Sequence, residues 1–474
     1  MNRKFLRQLV GAAMVRLFKH YIPHAVLLLG LADLLLLLLA ADLGWVLRSG
    51  QIGTDAGTPV SRLGALIAFA TTTLAAMIAV GVYGPESLRS LRFACARLLV
   101  AVTLAILALA LLDFLLPGHT YWRSTLLYAM VLATFMLVLN RAILGNLLGT
   151  SAFRRRVLVL GTGPRAQRLK ALSEKEGCGF TIVGFISMTQ PSEQVPEAVK
   201  RSTISDLSAH VSGLGVTEVV LALEERRNSL PLKDLLRVKT AGVHVNEFST
   251  FLERETGRVD LDTLNPSWLI FSDGFSSGRA ISSFAKRAFD ILASGLLLLL
   301  AFPVIALFAL IVKLDSKGPA FFRQKRVGLY GQTFEIVKLR SMRSDAEKEG
   351  AKWAEKNDSR ITRVGAFIRK VRIDELPQVW TVLTGRMSFV GPRPEVPIFV
   401  NNLEDKLPYY AERHMVKPGI TGWAQINYPY GASIEDARHK LEYDLYYAKN
   451  YTPFLDLLIM LQTLRVVLWP DGAR

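Results

Sequence analysis

The run Ile291-Leu-Ala-Ser-Gly-Leu-Leu-Leu-Leu-Leu-Ala-Phe-Pro303-Val-Ile-Ala-Leu-Phe-Ala-Leu-Ile-Val312 is uncharged throughout and long enough to cross a bilayer as a helix. Two features predict that it does not cross. Pro303 near its middle removes a helical hydrogen bond and bends the rod. Lys286 and Arg287 precede the run and Lys313 and Lys317 follow it, so no charge asymmetry favours sending either end across. The expectation is a re-entrant helix over about 284–312 that enters one leaflet, breaks at Pro303 and returns. A kinked fifth span is the plainer alternative.

Upstream, apolar stretches of spanning length occur near 25–46, 63–82, 94–116 and 124–144. Arg3, Lys4, Arg7, Arg16 and Lys19 precede the first, Arg89 and Arg92 join the second to the third, and Arg154, Arg155 and Arg156 follow the fourth. The intervening loops hold Arg48, Arg62 and Arg123 alone, so the positive-inside rule places both ends of a four-helix transmembrane domain (1–150) in the cytoplasm.

Composition agrees with a mixed protein. The 474 residues are 51% hydrophobic and 20% charged, with a mean hydropathy of +0.29, too apolar for an ordinary soluble enzyme and too charged for a wholly membrane one. The net charge of +17 divides as +7 over 1–150, +2 over 151–265 and +8 over 266–474. The basic excess at the two ends suits anionic lipid or a phosphate-rich substrate. No nucleic-acid module accompanies it, so no nucleic-acid partner is expected. Cys95 and Cys178 lie far apart and suggest neither a disulfide framework nor zinc.

Between these ends, residues 151–265 read as a Rossmann-like α/β domain. Strand-like runs at Val157–Leu160, Thr181–Ile186 and Glu218–Leu223 predict a parallel sheet. Gly161-Thr-Gly163-Pro-Arg-Ala166 fits a turn that lets a pyrophosphate approach a helix N-terminus. Gly184-Phe-Ile-Ser187-Met stands where a ribose-binding acid is expected, which favours structural or regulatory use over NAD binding.

Downstream, chemistry concentrates in Lys338-Leu-Arg340-Ser-Met342, Arg369-Lys-Val-Arg372-Ile-Asp374-Glu375-Leu-Pro377 and Gly391-Pro-Arg393-Pro-Glu395. Adjacent carboxylates among cations suit a nucleophile, a base or a magnesium ligand. Arginine's planar fork suits phosphate. Singly, an acidic pair at a helix end is usually solvated and Gly-Pro-Arg-Pro is a rigid turn. The last piece, Tyr451–Trp469, is apolar with polar breaks at Asp456, Gln462 and Arg465, and fits an interfacial or a buried helix.

Together with Lys313-Leu-Asp315-Ser-Lys-Gly318-Pro319-Ala-Phe-Phe-Arg323-Gln-Lys-Arg326-Val-Gly328 and Lys417-Pro-Gly-Ile-Thr-Gly-Trp-Ala-Gln-Ile-Asn427, these motifs closely resemble the bacterial sugar transferase family of monotopic phosphoglycosyl transferases. The resemblance covers nearly all of 280–474, and implies a mainly α catalytic domain over 266–474 with a re-entrant helix. The four-helix and Rossmann-like architecture ahead of it resembles the large members that initiate exopolysaccharide, capsule or O-antigen synthesis. The stretch from Leu441-Glu-Tyr-Asp444 to the end resembles the exosortase-associated branch.

The resemblance implies transfer of a hexose-1-phosphate from a UDP-sugar to polyprenyl phosphate with release of UMP, assisted by Mg2+, at the cytoplasmic face of a bacterial inner membrane. It implies Asp374 as nucleophile and Glu375 as its catalytic partner, with both as metal ligands. Arg393 would bind phosphate, with Lys338, Arg340 and Asp444 in the same pocket. The family breaks its membrane helix at Ser-Pro in small members; here Phe302-Pro303 keeps only the proline. The sequence fixes no oligomeric state, a homodimer being one assembly compatible with it. Competing readings are a membrane-anchored NAD-dependent enzyme acting on nucleotide sugars and a non-catalytic scaffold for polysaccharide assembly.

Overall fold

The structure, a computed structural model, describes residues 14–17, 20–83, 91–115, 123–148, 154–175, 178–188, 195–224, 230–264, 280–343, 360–429, 431 and 433–468. Arg3, Lys4, Arg7, Lys19 and Arg89, the 265/266 boundary and the final segment 469–474 lie outside the described residues. The chain divides into two compact units, Met1–Thr256 and Gly257–Arg474.

Among the described residues the first unit opens with a short antiparallel pair, β1 (Met14–Leu17) and β2 (His20–Pro23), which sequence reading does not anticipate. Four apolar helices follow: α1 (His24–Ile52), α2 (Leu63–Val80), α3 (Leu91–Leu115) and α4 (Arg123–Leu148). Each contains a stretch long and apolar enough to cross a membrane. They share a core in which Leu37, Phe69, Met77, Leu98, Ala133 and Leu137 are buried, while Leu35, Leu107, Val131 and Phe135 point outward. Apolar side chains both inside and outside are the mark of helices whose solvent is hydrocarbon. The buried charge of Asp33 is matched: Arg141 donates both η nitrogens to it at 2.7 and 3.1 Å, and Tyr83 Oη and Asn140 Nδ2 donate at 2.8 and 2.9 Å. Such pairing is what a charge needs to sit among apolar helices.

The α/β part holds β3 (Arg155–Leu160), α5 (Pro164–Glu174), β4 (Phe180–Ser187), β5 (Val199–Lys200), α6 (Leu207–Gly213), β6 (Glu218–Leu221), α7 (Leu232–Thr240), β7 (His244–Glu247) and α8 (Phe248–Thr256). All strand pairings are parallel, in the order β5-β4-β3-β6-β7. The expected parallel sheet is therefore present. β3 and β6 are almost wholly buried because helices cover both faces of the sheet. The strand order reverses between β3 and β6, beside Gly161.

In the second unit a 3-10 turn at Leu261–Thr263 is followed, among the described residues, by α9 (Ala280–Asp315), helical throughout with Pro303 inside it. It exposes Leu292, Leu296, Leu299, Phe302 and Leu310 and buries Asp290, Ser294, Ala301, Ile305 and Val312 along one stripe. The antiparallel hairpin β8 (Phe321–Val327) and β9 (Thr333–Leu339) comes next, then α10 (Arg363–Lys370) and α11 (Gln378–Leu383). β10 (Ser388–Val390) pairs in parallel with β11 (Gly419–Thr421) across α12 (Pro397–Lys406). The helices α13 (Trp423–Asn427), α14 (Ile434–Asn450) and α15 (Pro453–Leu468) complete it. Ser433 and Asp436 form a capping box that fixes the start of α14. In α15, Leu455 and Ile459 are buried with Tyr447, and Asp456 is ion-paired, so this part of it is a core helix.

Candidate active site

The acidic pair sits on a forced turn. After α10 the chain passes through Arg372 in the left-handed region (φ 60°), unusual for a residue with a side chain, and enters a single 3-10 turn, Ile373–Glu375. Pro377 then leads into α11, where its missing N–H costs nothing. A left-handed non-glycine residue beside a buried and a half-buried carboxylate is the kind of local strain that collects at functional sites.

The two carboxylates have different surroundings. Glu375 Oε1 accepts from Lys338 Nζ at 3.0 Å and from Arg393 Nη2 at 3.0 Å, while Arg372 Nη1 lies 3.6 Å from Oε2. Burial alone would push the Glu375 carboxyl up, but Arg393, Lys338 and Arg372 outweigh it and hold the group far below the usual carboxylate range. Asp374, 8% exposed, has no side-chain hydrogen bond or ion pair among the described residues. Burial, and next the charge of Glu375, raise its carboxyl above the ordinary value, against the pull of Lys338, Arg369 and Arg372. Burial also lowers the Lys338 ammonium, aided by Arg393 and opposed by Glu375 and Asp374. The site thus contains one carboxylate gripped by cations and one held in their field with its oxygens uncommitted.

Two strand ends aim the cations. Lys338 lies on β9 opposite Phe322 of β8. Arg393 follows β10 by three residues, on a loop fixed from behind. Arg413 Nη2 donates to the Arg393 carbonyl at 3.0 Å and pairs with Asp444 at 2.7 Å, while its Nη1 donates to Tyr410 Oη at 2.7 Å. Arg326 Nη1 donates to the Pro394 carbonyl at 3.0 Å, and the Val327 N–H to the Glu395 carbonyl at 2.9 Å. Glycine is required beneath this loop: a Cβ on Gly391 would lie 2.2 Å from the Lys417 carbonyl oxygen, and one on Gly419 would lie 2.1 Å from Gly391 N.

Of the residues singled out by sequence, Asp374, Glu375, Lys338 and Arg393 come together. Asp444 is buried one step behind, pushed up by burial and supported by Arg413, so it braces the Arg393 loop rather than facing the dyad. Arg340 points elsewhere, donating to the carbonyls of Val312, Ser316 and Lys317 at the end of α9 at 3.2, 2.6 and 3.1 Å. Pro303 lies inside α9, nearer its C-terminal end. Sequence reading missed Arg413 and Tyr410, because a buried Arg–Asp pair that acts through a backbone carbonyl carries no spacing signal. It read Lys286 and Asp456 only as a flanking charge and a polar break and did not single out Asp290, because their contacts join segments about a hundred residues or more apart.

Among the described residues no group of three or more His, Cys, Asp or Glu side chains converges as a metal site. A hard cation such as magnesium needs only one or two carboxylates when substrate phosphates supply further oxygens. The uncommitted oxygens of Asp374 fit that donor set, whereas Glu375 Oε1 is already taken by two cations.

Fold and site together define a domain that carries an apolar helix and a cation-gripped acidic pair suited to phosphate chemistry. A sequence model of the bacterial sugar transferase family matches residues 281–470, and one of a CoA-binding domain matches residues 59–240. The chain is 44% identical over 240 residues (51% of its length, 56% of the relative's) to a UDP-N-acetylgalactosamine-undecaprenyl-phosphate N-acetylgalactosaminephosphotransferase of Aeromonas hydrophila. It is 32% identical over 347 residues (71% and 73%) to a UDP-glucose:undecaprenyl-phosphate glucose-1-phosphate transferase of Klebsiella pneumoniae. Identity is 42% over 185 residues (39% and 40%) to a protein of the same description from Escherichia coli (strain K12). The chain belongs to the bacterial sugar transferase family. Its matches span about half of the Aeromonas relative and two fifths of the Escherichia coli one.

Proposed function

We propose that this protein transfers a sugar-1-phosphate from a UDP-sugar to undecaprenyl phosphate at the cytoplasmic face of a bacterial inner membrane, beginning a surface polysaccharide. The observation that carries the reading is the unequal dyad: Asp374 uncommitted beside a Glu375 held by Lys338 and Arg393. In the first half-reaction an Asp374 carboxylate oxygen forms a bond to the sugar-linked phosphorus. The bond from that phosphorus to the bridging oxygen breaks, and UMP leaves with the electron pair. In the second, an oxygen of the lipid phosphate attacks the same phosphorus, the bond to Asp374 breaks, and the carboxylate is regenerated. Glu375, kept ionised by its cations, holds Lys338 and Arg393 where phosphate charge must be met, preorganisation that accounts for much of phosphoryl-transfer catalysis. Magnesium, with Asp374 as its protein ligand, would neutralise pyrophosphate charge.

The membrane arrangement belongs to the same proposal: α1 to α4 span the bilayer with both ends cytoplasmic, and α9 is re-entrant. A straight run from Lys286 to Val312 would part them by about 39 Å. Both are fastened to the same compact unit, Lys286 to Asp456 and Val312 to Arg340. That supports a bend at Pro303 returning the second arm to its own side.

The test is exchange of labelled UMP into UDP-sugar without lipid acceptor. Wild type should catalyse it, Asp374→Asn should not, and mass spectrometry should find a sugar-phosphate adduct on the peptide containing Ile373-Asp374-Glu375. No exchange, no adduct, and kinetics requiring both substrates bound together would overturn the covalent route.

A further inference from the structure

The two cations that grip Glu375 are each tied to a different arm of the apolar helix α9. On the first arm, Asp290, 2% exposed, accepts through Oδ1 from Ser388 Oγ at 3.1 Å and from the Phe389 N–H at 3.1 Å. One turn earlier, Lys286 Nζ donates to the Val390 carbonyl at 2.9 Å and pairs with Asp456 at 2.5 Å. Tyr447 Oη donates to the same carbonyl at 3.0 Å. All three residues of β10 are therefore held by α9 or its anchor, and Arg393 stands three residues beyond. On the second arm, Arg340 Nη2 donates to the carbonyls of Val312, in the last turn, and Ser316, just beyond it, at 3.2 and 2.6 Å, and to Ser316 Oγ at 3.0 Å. Arg340 stands two residues beyond Lys338 at the end of β9. A guanidinium beside the carbonyls at a helix C-terminus is a favourable cap, and Val312 packs with Leu339 and Ile368 around it.

We propose that Asp290 and Arg340 are positioning residues that tie the two arms of the membrane helix to Arg393 and Lys338, so that seating α9 in the membrane sets the cation pair on Glu375. The proposal rests on the transferase reading for its effect on turnover. Its structural half stands on the contacts alone. Neither residue touches the dyad, and each acts through a strand end of two or three residues. Phosphoryl transfer depends on placement to a fraction of an ångström, where a displacement of about 1 Å costs up to about a hundredfold in rate. Loosening either tie should reach the chemistry without touching it.

The experiment uses the full chain in lipid bilayers. Asp290→Leu removes both accepted hydrogen bonds, and Asp290→Asn keeps an oxygen to receive them. Ser388→Ala, a milder change, deletes one donor alone. Hydrogen–deuterium exchange should rise in the Ser388–Arg393 segment for Asp290→Leu, less for Ser388→Ala, and return near wild type for Asp290→Asn. The turnover of UMP exchange should fall about tenfold or more in Asp290→Leu, with the KM for UDP-sugar changing far less. Combined with Arg393→Lys, the loss should not multiply, because both changes act on one cation. A merely structural role would give multiplying losses. Arg340→Met should behave likewise in combination with Lys338→Arg. Unchanged exchange protection over Ser388–Arg393, or losses that multiply, would overturn the coupling. Absence of any UDP-sugar-dependent UMP release with lipid acceptor present in wild type, with the protection changes intact, would overturn the transferase reading and leave the tie standing.

Discussion

At Asp374 and Glu375 two neighbouring carboxyls among overlapping sets of cations end with opposite net shifts, because contact decides. Lys338 and Arg393 touch Glu375 at 3.0 Å and drive it down, while burial and the charge of Glu375 leave Asp374 above its ordinary value of 3.8. Asp374 must be ionised to attack, so UMP exchange should fall with decreasing pH through a point above 3.8, set by Asp374 and not by Glu375. Replacing Glu375 by Gln removes the neighbouring charge that helps raise Asp374, so the residual exchange should keep its activity to lower pH, although burial still holds part of the shift. A limb that moves upward, or does not move, would show that the two carboxyls are not coupled as described. The strained residue ahead of them allows a separate test. Arg372→Gly relieves a left-handed conformation that costs about 1 kcal/mol for a side-chain-bearing residue, whereas Arg372→Ala keeps that cost. Both lose the charge 3.6 Å from Glu375. The two variants should therefore share one reduced turnover while the glycine form melts higher. The acidic pair and its flanking arginines were legible because they are adjacent in sequence. The assignment of contact to Glu375 was not, since it depends on where β9 and the Arg393 loop deliver their cations.

Among the elements, α9 shows where sequence pattern succeeds and where it stops. Its apolar run and central proline were legible, and the structure begins the helix at Ala280 and ends it at Asp315, beyond the 284–312 expected; at the far end Arg340 meets the carbonyls of Val312 and Ser316. If α9 returns to its own side, single cysteines at Ala285 and Lys325, in a background lacking Cys95 and Cys178, should both resist an impermeant thiol reagent in intact cells. Labelling at Lys325 alone would mean a fifth span. Pro303→Leu restores the missing hydrogen bond and lets the helix straighten, so activity should be lost with the protein still in the membrane. The parallel pair β10 and β11 was invisible as strands, being three residues each, yet its glycines were present in both motifs. Gly391→Ala places a methyl group 2.2 Å from a carbonyl oxygen, and should destabilise the second unit by about 1–3 kcal/mol or more and remove exchange activity. A folded, active Gly391→Ala protein would refute that packing.

Across the whole molecule the chemistry and the glycine turn fall in different compact units, with the dyad in Gly257–Arg474 and Gly161 in Met1–Thr256. The parallel sheet was legible from its β-rich runs; the fate of the turn was not, because it depends on what the neighbouring strand brings to it. Gly161 has φ +127°, and a Cβ there would lie 2.6 Å from the Ala222 carbonyl oxygen, so this glycine is needed for the sheet itself. Gly163 has an ordinary extended backbone (φ −81°, ψ −168°) as the N-cap of α5, and its Cβ would be 3.3 Å from Glu224 Oε1. An anion seated at that helix start would therefore meet a carboxylate already beside it, which favours structural over pyrophosphate-binding use despite the CoA-binding family match. The two glycines should then separate. Gly161→Ala should destabilise the first unit, seen as an earlier unfolding transition. Gly163→Asp places an N-cap residue at a position whose backbone accepts it, and the exposed Glu224 side chain can turn away from the added carboxylate, so the unit should stay folded. UMP exchange should persist in Gly163→Asp at near the wild-type rate. If exchange disappears while the unit remains folded, the turn holds a nucleotide that the reaction requires, and the division of labour between the two units is wrong.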